Sequence, residues 1–144
     1  MHVRDILHRK GSTVATVPPH TTVDELLRKL AEHNIGAAVV SSDGHTVDGV
    51  VSERDVVRGL AVEGATLLDK PVSAIMSTQL RVASPDDTVD HVMAEMTEHR
   101  VRHIPVLVEG RLVGIVSIGD AVKIRMDELE SDRDQLIGYI SSSS

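Results

Sequence analysis

Apolar positions along the chain follow two patterns, and each pattern occurs twice. Val23, Leu26, Leu27, Leu30 and Ala31 stand at i, i+3, i+4, i+7 and i+8, the stripe of an amphipathic helix. Thr22 before the stripe and Glu25 three residues on form a capping-box pattern at its start. Val89, Val92, Met93 and Met96 repeat the stripe later in the chain. Each stripe is followed by two short apolar runs. Ala37 to Val40 and Val47 to Val51 flank Ser42-Asp43-Gly44, and Ile104 to Val108 and Leu112 to Val116 flank Glu109-Gly110. Runs of this length around turn residues predict a β-hairpin. A second helix is predicted to begin near Ser52 in one case and near Ser117 in the other, so the unit is a short strand, a helix, a hairpin and a helix.

The duplication extends to residue identities. Thr22-Val23-Asp24 returns as Thr88-Val89-Asp90, Glu32-His33 as Glu98-His99, and Gly49-Val50-Val51-Ser52 as Gly114-Ile115-Val116-Ser117. Asp55 returns as Asp120 and Arg58 as Lys123, while Val3-Arg4-Asp5-Ile6-Leu7 resembles Val72-Ser73-Ala74-Ile75-Met76. The organisation expected is a first repeat over 1–64, a connection over 65–71, a second repeat over 72–126, and a C-terminal helix with a Ser-rich tail over 127–144. Neither unit alone can bury much core, so the two are expected to pack together. Beyond the second repeat, Val122, Met126, Leu129, Leu136 and Ile140 recur at alternating spacings of three and four, with Arg133 in the gap. That is the seam of a long helix, which either packs back on its own domain or faces a partner.

Composition narrows the function. With no Phe or Trp and a single Tyr, the core must be aliphatic, and stacking platforms for nucleic-acid bases are missing. A formal charge of −7 argues against a duplex partner. The lack of cysteine excludes disulfides and thiolate chemistry. No apolar run approaches the roughly 20 residues of a membrane span. Met1 to Lys10 lacks the apolar centre of a signal peptide, so a cytoplasmic location is expected. The chain also lacks a nucleophile elbow, a phosphate-binding Walker loop and a zinc-protease motif, and the expectation is that it is not an enzyme.

Two Ser-x-x-Asp segments carry the candidate chemistry, Ser52 to Asp55 and Ser117 to Asp120. A serine at a helix start presents its hydroxyl and neighbouring N–H groups to an anion. An aspartate three residues on can accept hydrogen bonds from the two vicinal hydroxyls of a ribose. The same spacing is also a capping box that needs no ligand. Arg58 and Lys123 near the first helical turn could meet phosphate or form a solvated face. Of the eight histidines, His99 and His103 are four apart, but the chain between them leaves the helix. His33 and His99 near helix C-termini suit the macrodipole better than a metal, and no metal site is expected.

Together Gly49-Val-Val-Ser-Glu-Arg-Asp55, Gly114-Ile-Val-Ser-Ile-Gly-Asp120 and Ile104-Pro105-Val106 resemble the cystathionine-β-synthase-type (CBS) domain family, as a stand-alone pair. The resemblance implies an α+β fold of two βαββα repeats packed through their sheets as a pseudo-two-fold pair, with a C-terminal helical extension. It implies an adenosine ligand in the cleft between the repeats (AMP, ADP, ATP, NAD(H) or S-adenosylmethionine), bound as a regulatory ligand with no cofactor required. By the same resemblance Asp55 and Asp120 hold ribose, while Ser52 and Ser117 assist with phosphate. The segment His103-Ile104-Pro105 reads the adenine edge. Its first-repeat counterpart is Ala37-Ala38-Val39-Val40, with Val39 in place of proline. Arg54 supplies a cation where the second copy has Gly119. The two pockets should therefore differ, the second nearer the adenine pattern and the first better supplied with charge. A homodimer and an unidentified protein target are the partners expected. The alternative is a structural dimerisation module with vestigial pockets.

Overall fold

The computed structural model describes residues 1–11 and 14–143. In chain order it contains α1 (Val3–Lys10), β1 (Thr16–Val17), α2 (Val23–His33), β2 (Ala37–Val40), β3 (Gly49–Ser52) and α3 (Glu53–Glu63). Short 3₁₀ turns follow at Gly64–Asp69 and Val72–Ala74, then α4 (Val89–His99), β4 (His103–Val108), β5 (Arg111–Ser117) and α5 (Ile118–Ser143). The helices begin where side chains can satisfy their first free N–H groups. Thr22 accepts from the Glu25 amide, Thr88 from the His91 amide and Ser52 from the Asp55 amide. Both stripe helices end in a left-handed residue, Asn34 (φ 51°) and Arg100 (φ 53°).

One sheet runs β1-β2-β3 and the other β4-β5. Ala37 lies opposite Ser52 in the first hairpin and His103 opposite Ser117 in the second, so the two hairpins share one register. Val39 and Pro105 therefore occupy equivalent places, and the difference between them shapes the sheets. The Val39 N–H donates to Ala15 O beside β1, a bond that proline cannot make. In the second repeat the strand matching β1 is reduced to a single parallel bridge between Ala83 and Val106. β3 starts later than its apolar run predicts, at Gly49. Asp48 turns its carboxylate onto the Ser42 N–H (2.9 Å) and hydroxyl (2.8 Å) and closes the hairpin loop. Asp43 accepts from the Thr46 and His45 amides at 2.7 and 2.8 Å, and these bonds hold its carboxyl below the ordinary range.

The sheets meet through Ala37, Val39 and Val50 on one side and Leu112 and Ile115 on the other, with Leu80 beside them. Outside this seam, each repeat has an aliphatic core under its helices. The front segments exchange places between these cores. Val3 and Ile6 of α1 are buried in the second repeat's core with Val89, Met96, Ile104 and Ile124. Val72, Ile75 and Met76 pack in the first repeat's core with Val23, Leu26 and Val51. α1, at the start of the first repeat in sequence, thus packs in space against the second repeat. Within the 65–71 connection, Leu67 is fully buried in the first core.

The two motif glycines follow from the exchange. A Cβ on Gly49 would meet Met76 Sδ at 2.7 Å and Ser77 O at 2.9 Å, and one on Gly114 would strike the Leu7 side chain. The glycines make room for the crossed front segments of the chain itself.

α5 continues far beyond the second core. Ala121 and Ile124 anchor it, whereas Val122, Met126, Leu129 and Leu136 are exposed. The helix does not pack back on its own domain along this stripe. The serines through Ser143 are part of the helix, and Ser144 lies outside the described residues.

Candidate functional site

The larger cavity, about 370 Å³, opens between the repeats. Its first wall is the start of α3, with Ser52, Glu53, Arg54, Asp55 and Arg58 beside Gly36 and Val50. Its second wall is the passage from α4 into β4, His99 to His103 with Pro105, and Ser77 with Gln79 to Arg81 completes the lining. The left-handed cap at Arg100, whose N–H bonds Met96 O, turns the chain so that this run faces the cavity.

At the α3 start, serine and aspartate close a reciprocal cap. The Ser52 N–H donates to Asp55 Oδ2 at 2.8 Å, the Ser52 hydroxyl donates to the same oxygen at 3.1 Å, and the Asp55 N–H donates back to Ser52 Oγ at 3.4 Å. Among the described residues the carboxylate accepts through Oδ2, and Asp55 lines the cavity. Among the described residues no cation pairs with Asp55. The cap and a ligand site are therefore compatible on the same side chains.

The charge of the lining is opposite to that of the chain. Arg54, Arg58, Arg81, Arg100 and Arg102 face Glu53 and Asp55, in a protein of formal charge −7. Arg81 is oriented by His99, donating to its Nδ1 at 3.2 Å. His103 stacks its ring over Gly36, where a Cβ would lie 3.6 Å from Cε1. Burial pushes its imidazole below the ordinary value and Lys10 adds to that, against Asp120 and Glu53. At neutral pH His103 is thus an uncharged donor and acceptor at the cavity wall.

The second Ser-x-x-Asp has a different environment. The Ser117 N–H donates to Asp120 Oδ2 at 2.9 Å and the Asp120 N–H to Ser117 Oγ at 3.1 Å, repeating the cap. Lys10 Nζ also reaches Asp120 Oδ2 at 2.7 Å and donates to Ile115 O at 3.0 Å. Burial alone would raise the Asp120 carboxyl, but the bonds from Lys10 and the Ser117 amide outweigh it and hold it low. Asp120 and Lys123 line a smaller cavity of about 100 Å³ with Ile6, Arg9, Lys10 and Ile124.

The sequence of the CBS domain matches this chain twice, over residues 3–62 and 72–127. The chain belongs to the CBS-domain family. This CBS pair is 34% identical over 146 residues to the mitochondrial CBS domain-containing protein CBSX3 of Arabidopsis thaliana, covering 96% of this chain and 71% of that one. Its fold is similar to the CBS-domain containing protein ATU1752 from Agrobacterium tumefaciens, at TM-score 0.84 and 44% identity over 87% of this chain and 99% of that one. It is also similar to the CBS domain pair of protein MJ0100, solved with 5-methylthioadenosine and S-adenosyl-L-methionine. That match has TM-score 0.78 and 25% identity over 89% of this chain and 98% of the other.

Of the residues singled out from the CBS motifs, Ser52, Arg54, Asp55, Arg58, His103 and Pro105 meet at the larger cavity. Ala37 and Ala38 do not line it; Ala37 is in the seam between the sheets and Ala38 in the first core. Ile104 is in the second core. Ser117, Asp120 and Lys123 stand apart, on the Lys10 side. The two features expected in separate pockets, the proline segment and the extra charge, thus share one cavity. Sequence reasoning missed Arg81, Arg100 and Arg102. Arg100 and Arg102 lie between His99 and His103 while Arg81 lies in a separate segment, so their common role emerges only when the repeats are docked. Among the described residues no group of His, Asp and Glu could hold a metal ion, and no helix is long and apolar enough to cross a membrane.

Proposed function

We propose that this CBS pair is a regulatory module, not an enzyme, that binds a phosphate-bearing adenosine ligand in the cavity beside Asp55. The reading is carried by one observation: the first repeat's Ser52–Asp55 helix start and the second repeat's Pro105 segment border one cavity, under five arginines. Asp55 Oδ1 would accept from the ribose diol, the Ser52 end of α3 and the arginines would hold phosphate, and the β4 entry at His103 and Pro105 would face the base. The adenosine ligands of MJ0100 support the nucleoside part of the reading. The arginines favour AMP, ADP, ATP and NAD(H) over S-adenosylmethionine in this reading, because a sulfonium cation brings repulsion where phosphates bring charge-assisted hydrogen bonds. The ligand works by favouring one arrangement of the repeats, to the extent that its affinities for the two arrangements differ. The setting in this reading is the cytoplasm.

A thermal-shift panel of AMP, ADP, ATP, NAD⁺, NADH and S-adenosylmethionine tests this. A phosphate-bearing member at about a hundred times its Kd should stabilise by roughly 2.7 kcal/mol, with S-adenosylmethionine giving the smallest shift. No shift with any member leaves the dimerisation module with vestigial pockets as the better reading.

The exposed stripe of α5 supports a homodimer in this reading, through which a protein target could be addressed. Val122, Met126, Leu129 and Leu136 keep the three-and-four spacing of a coiled-coil seam, and Arg133 is a single polar residue of the kind that fixes register in such seams. Leu129→Asp puts a charge in the seam and should convert the dimer to monomer in sedimentation experiments, with the Tm of the ligand-free monomer retained. A wild-type chain that sediments as a monomer at high concentration removes this part of the proposal.

A further inference from the structure

The crossing of the front segments has unequal consequences for the two Ser-x-x-Asp sites. In register, Leu7 over Gly114 corresponds to Met76 over Gly49, which sets Lys10 opposite Gln79. After Met76 the chain leaves its 3₁₀ turn, and Ser77 exchanges backbone hydrogen bonds with Val50, its N–H reaching Val50 O at 2.9 Å. Gln79 then lies in the wall of the open cavity. In the other half the front segment stays helical through Lys10. Ile115, the counterpart of Val50, receives the Lys10 ammonium on its carbonyl, and the same ammonium holds the Asp120 carboxylate.

We propose that Lys10 is a built-in occupant of the Asp120 site. It takes the place beside the carboxylate and the strand carbonyl that a nucleoside would need, so the chain binds one adenosine-type ligand, at Asp55. This inference rests on the proposed reading of the Asp55 cavity and adds its stoichiometry. The pairing is tight in two respects. The contact joins a cation to both an anion and a neutral acceptor, so removing the lysine frees two acceptors at once. It also closes over a distance of more than a hundred residues in sequence, from a helix anchored by Val3 and Ile6 in the second core, so the backbone that carries the ammonium is already fixed by the fold. A ligand entering there must break this ion pair before it gains anything. At the Asp55 site no such pair stands in the way among the described residues.

The test substitutes Lys10 with the residue that stands in its place at the open site. Wild type and Lys10→Gln are titrated calorimetrically with AMP and with ATP, and the number of ligands per chain is read for each. One per chain in wild type and two in Lys10→Gln is the expected result, with the second lost again in Lys10→Gln/Asp120→Ala. Two per chain in wild type overturns the proposal, as does one per chain at unchanged affinity in a Lys10→Gln protein whose far-UV spectrum and unfolding transition match wild type. Binding of neither nucleotide to either protein overturns the reading of the Asp55 cavity itself, and is distinguished from the other failures by the silent wild type. Lys10→Met, which keeps the stem and removes the charge, repeats the test should Gln form a substitute hydrogen bond to Asp120, and a single ligand in both variants counts against the occupant.

Discussion

Asp55→Ala should abolish most of the nucleotide-dependent stabilisation expected of this protein, whereas Asp120→Ala should leave it intact. Asp55 lines an arginine-rich cavity, and hydrogen bonds to a charged acceptor contribute about 1.5–3 kcal/mol each. Loss of a ribose diol from that carboxylate should weaken binding at least about 30-fold. The alanine also removes half of a capping box, and the ligand-free protein should lose about 1 kcal/mol for that reason alone. Asp55→Asn separates the two effects, because the amide oxygen can still accept from the Ser52 N–H. Its expected signature is near-normal unfolding without ligand and impaired affinity in calorimetry. Full affinity in both Asp55 variants would refute the ribose assignment. Asp120→Ala, by contrast, releases Lys10 and removes a cap, so its effect belongs to stability and not to affinity.

The second large effect concerns stability. Ile6→Ala, a change in a helix of only eight residues at the start of the chain, should cost about 2–5 kcal/mol in urea unfolding. Such a short helix would be marginal in isolation. Ile6 is 3% exposed, within the core formed by Val89, Val92, Met96, Ile104 and Ile124, so truncation opens a cavity in the second repeat. The α1 start is also tied down by backbone hydrogen bonds from the Val3 N–H to Asp87 O (2.9 Å) and from the Arg4 N–H to Pro85 O (3.0 Å). An Ile6→Ala change below about 0.5 kcal/mol would mean that α1 is detached in solution, and the occupancy of Asp120 by Lys10 would fall with it.

Much of the architecture is local physics and was legible before any coordinates. Thr22, Thr88 and Ser52 cap the helices that follow them, because a short side-chain oxygen next to an apolar stripe satisfies free N–H groups wherever the helix ends up. The alignment of His103-Ile104-Pro105-Val106 with Ala37-Ala38-Val39-Val40 matches the strand register, since strand alternation ties every side chain to one face and leaves little freedom to slip. The site was legible only in half. Ser52, Asp55, Arg58 and Pro105 could be nominated from motif and repeat, but Ala38 and Ile104 resemble them in position while their side chains point into the cores. Arg81, Arg100 and Arg102 carry no local signature, because a cation on a helix exit is usually solvated and becomes a lining residue only when another element faces it.

The sequence by itself determined two repeats, their stripe helices and hairpins, an aliphatic core and the two Ser-x-x-Asp helix starts. These rest on periodicity, capping and turn chemistry, which act over a few residues and are the same in any context. Only the tertiary structure decided which halves share a cleft. It placed α1 in the second core and the Val72–Ala74 turn with the first, set Lys10 against Asp120, and left Asp55 facing an open cavity. The choice depends on how residues far apart in sequence meet, at Leu7 over Gly114 and Met76 over Gly49. Two equivalent motifs thus acquire unequal environments, for a reason that no spacing within either motif contains.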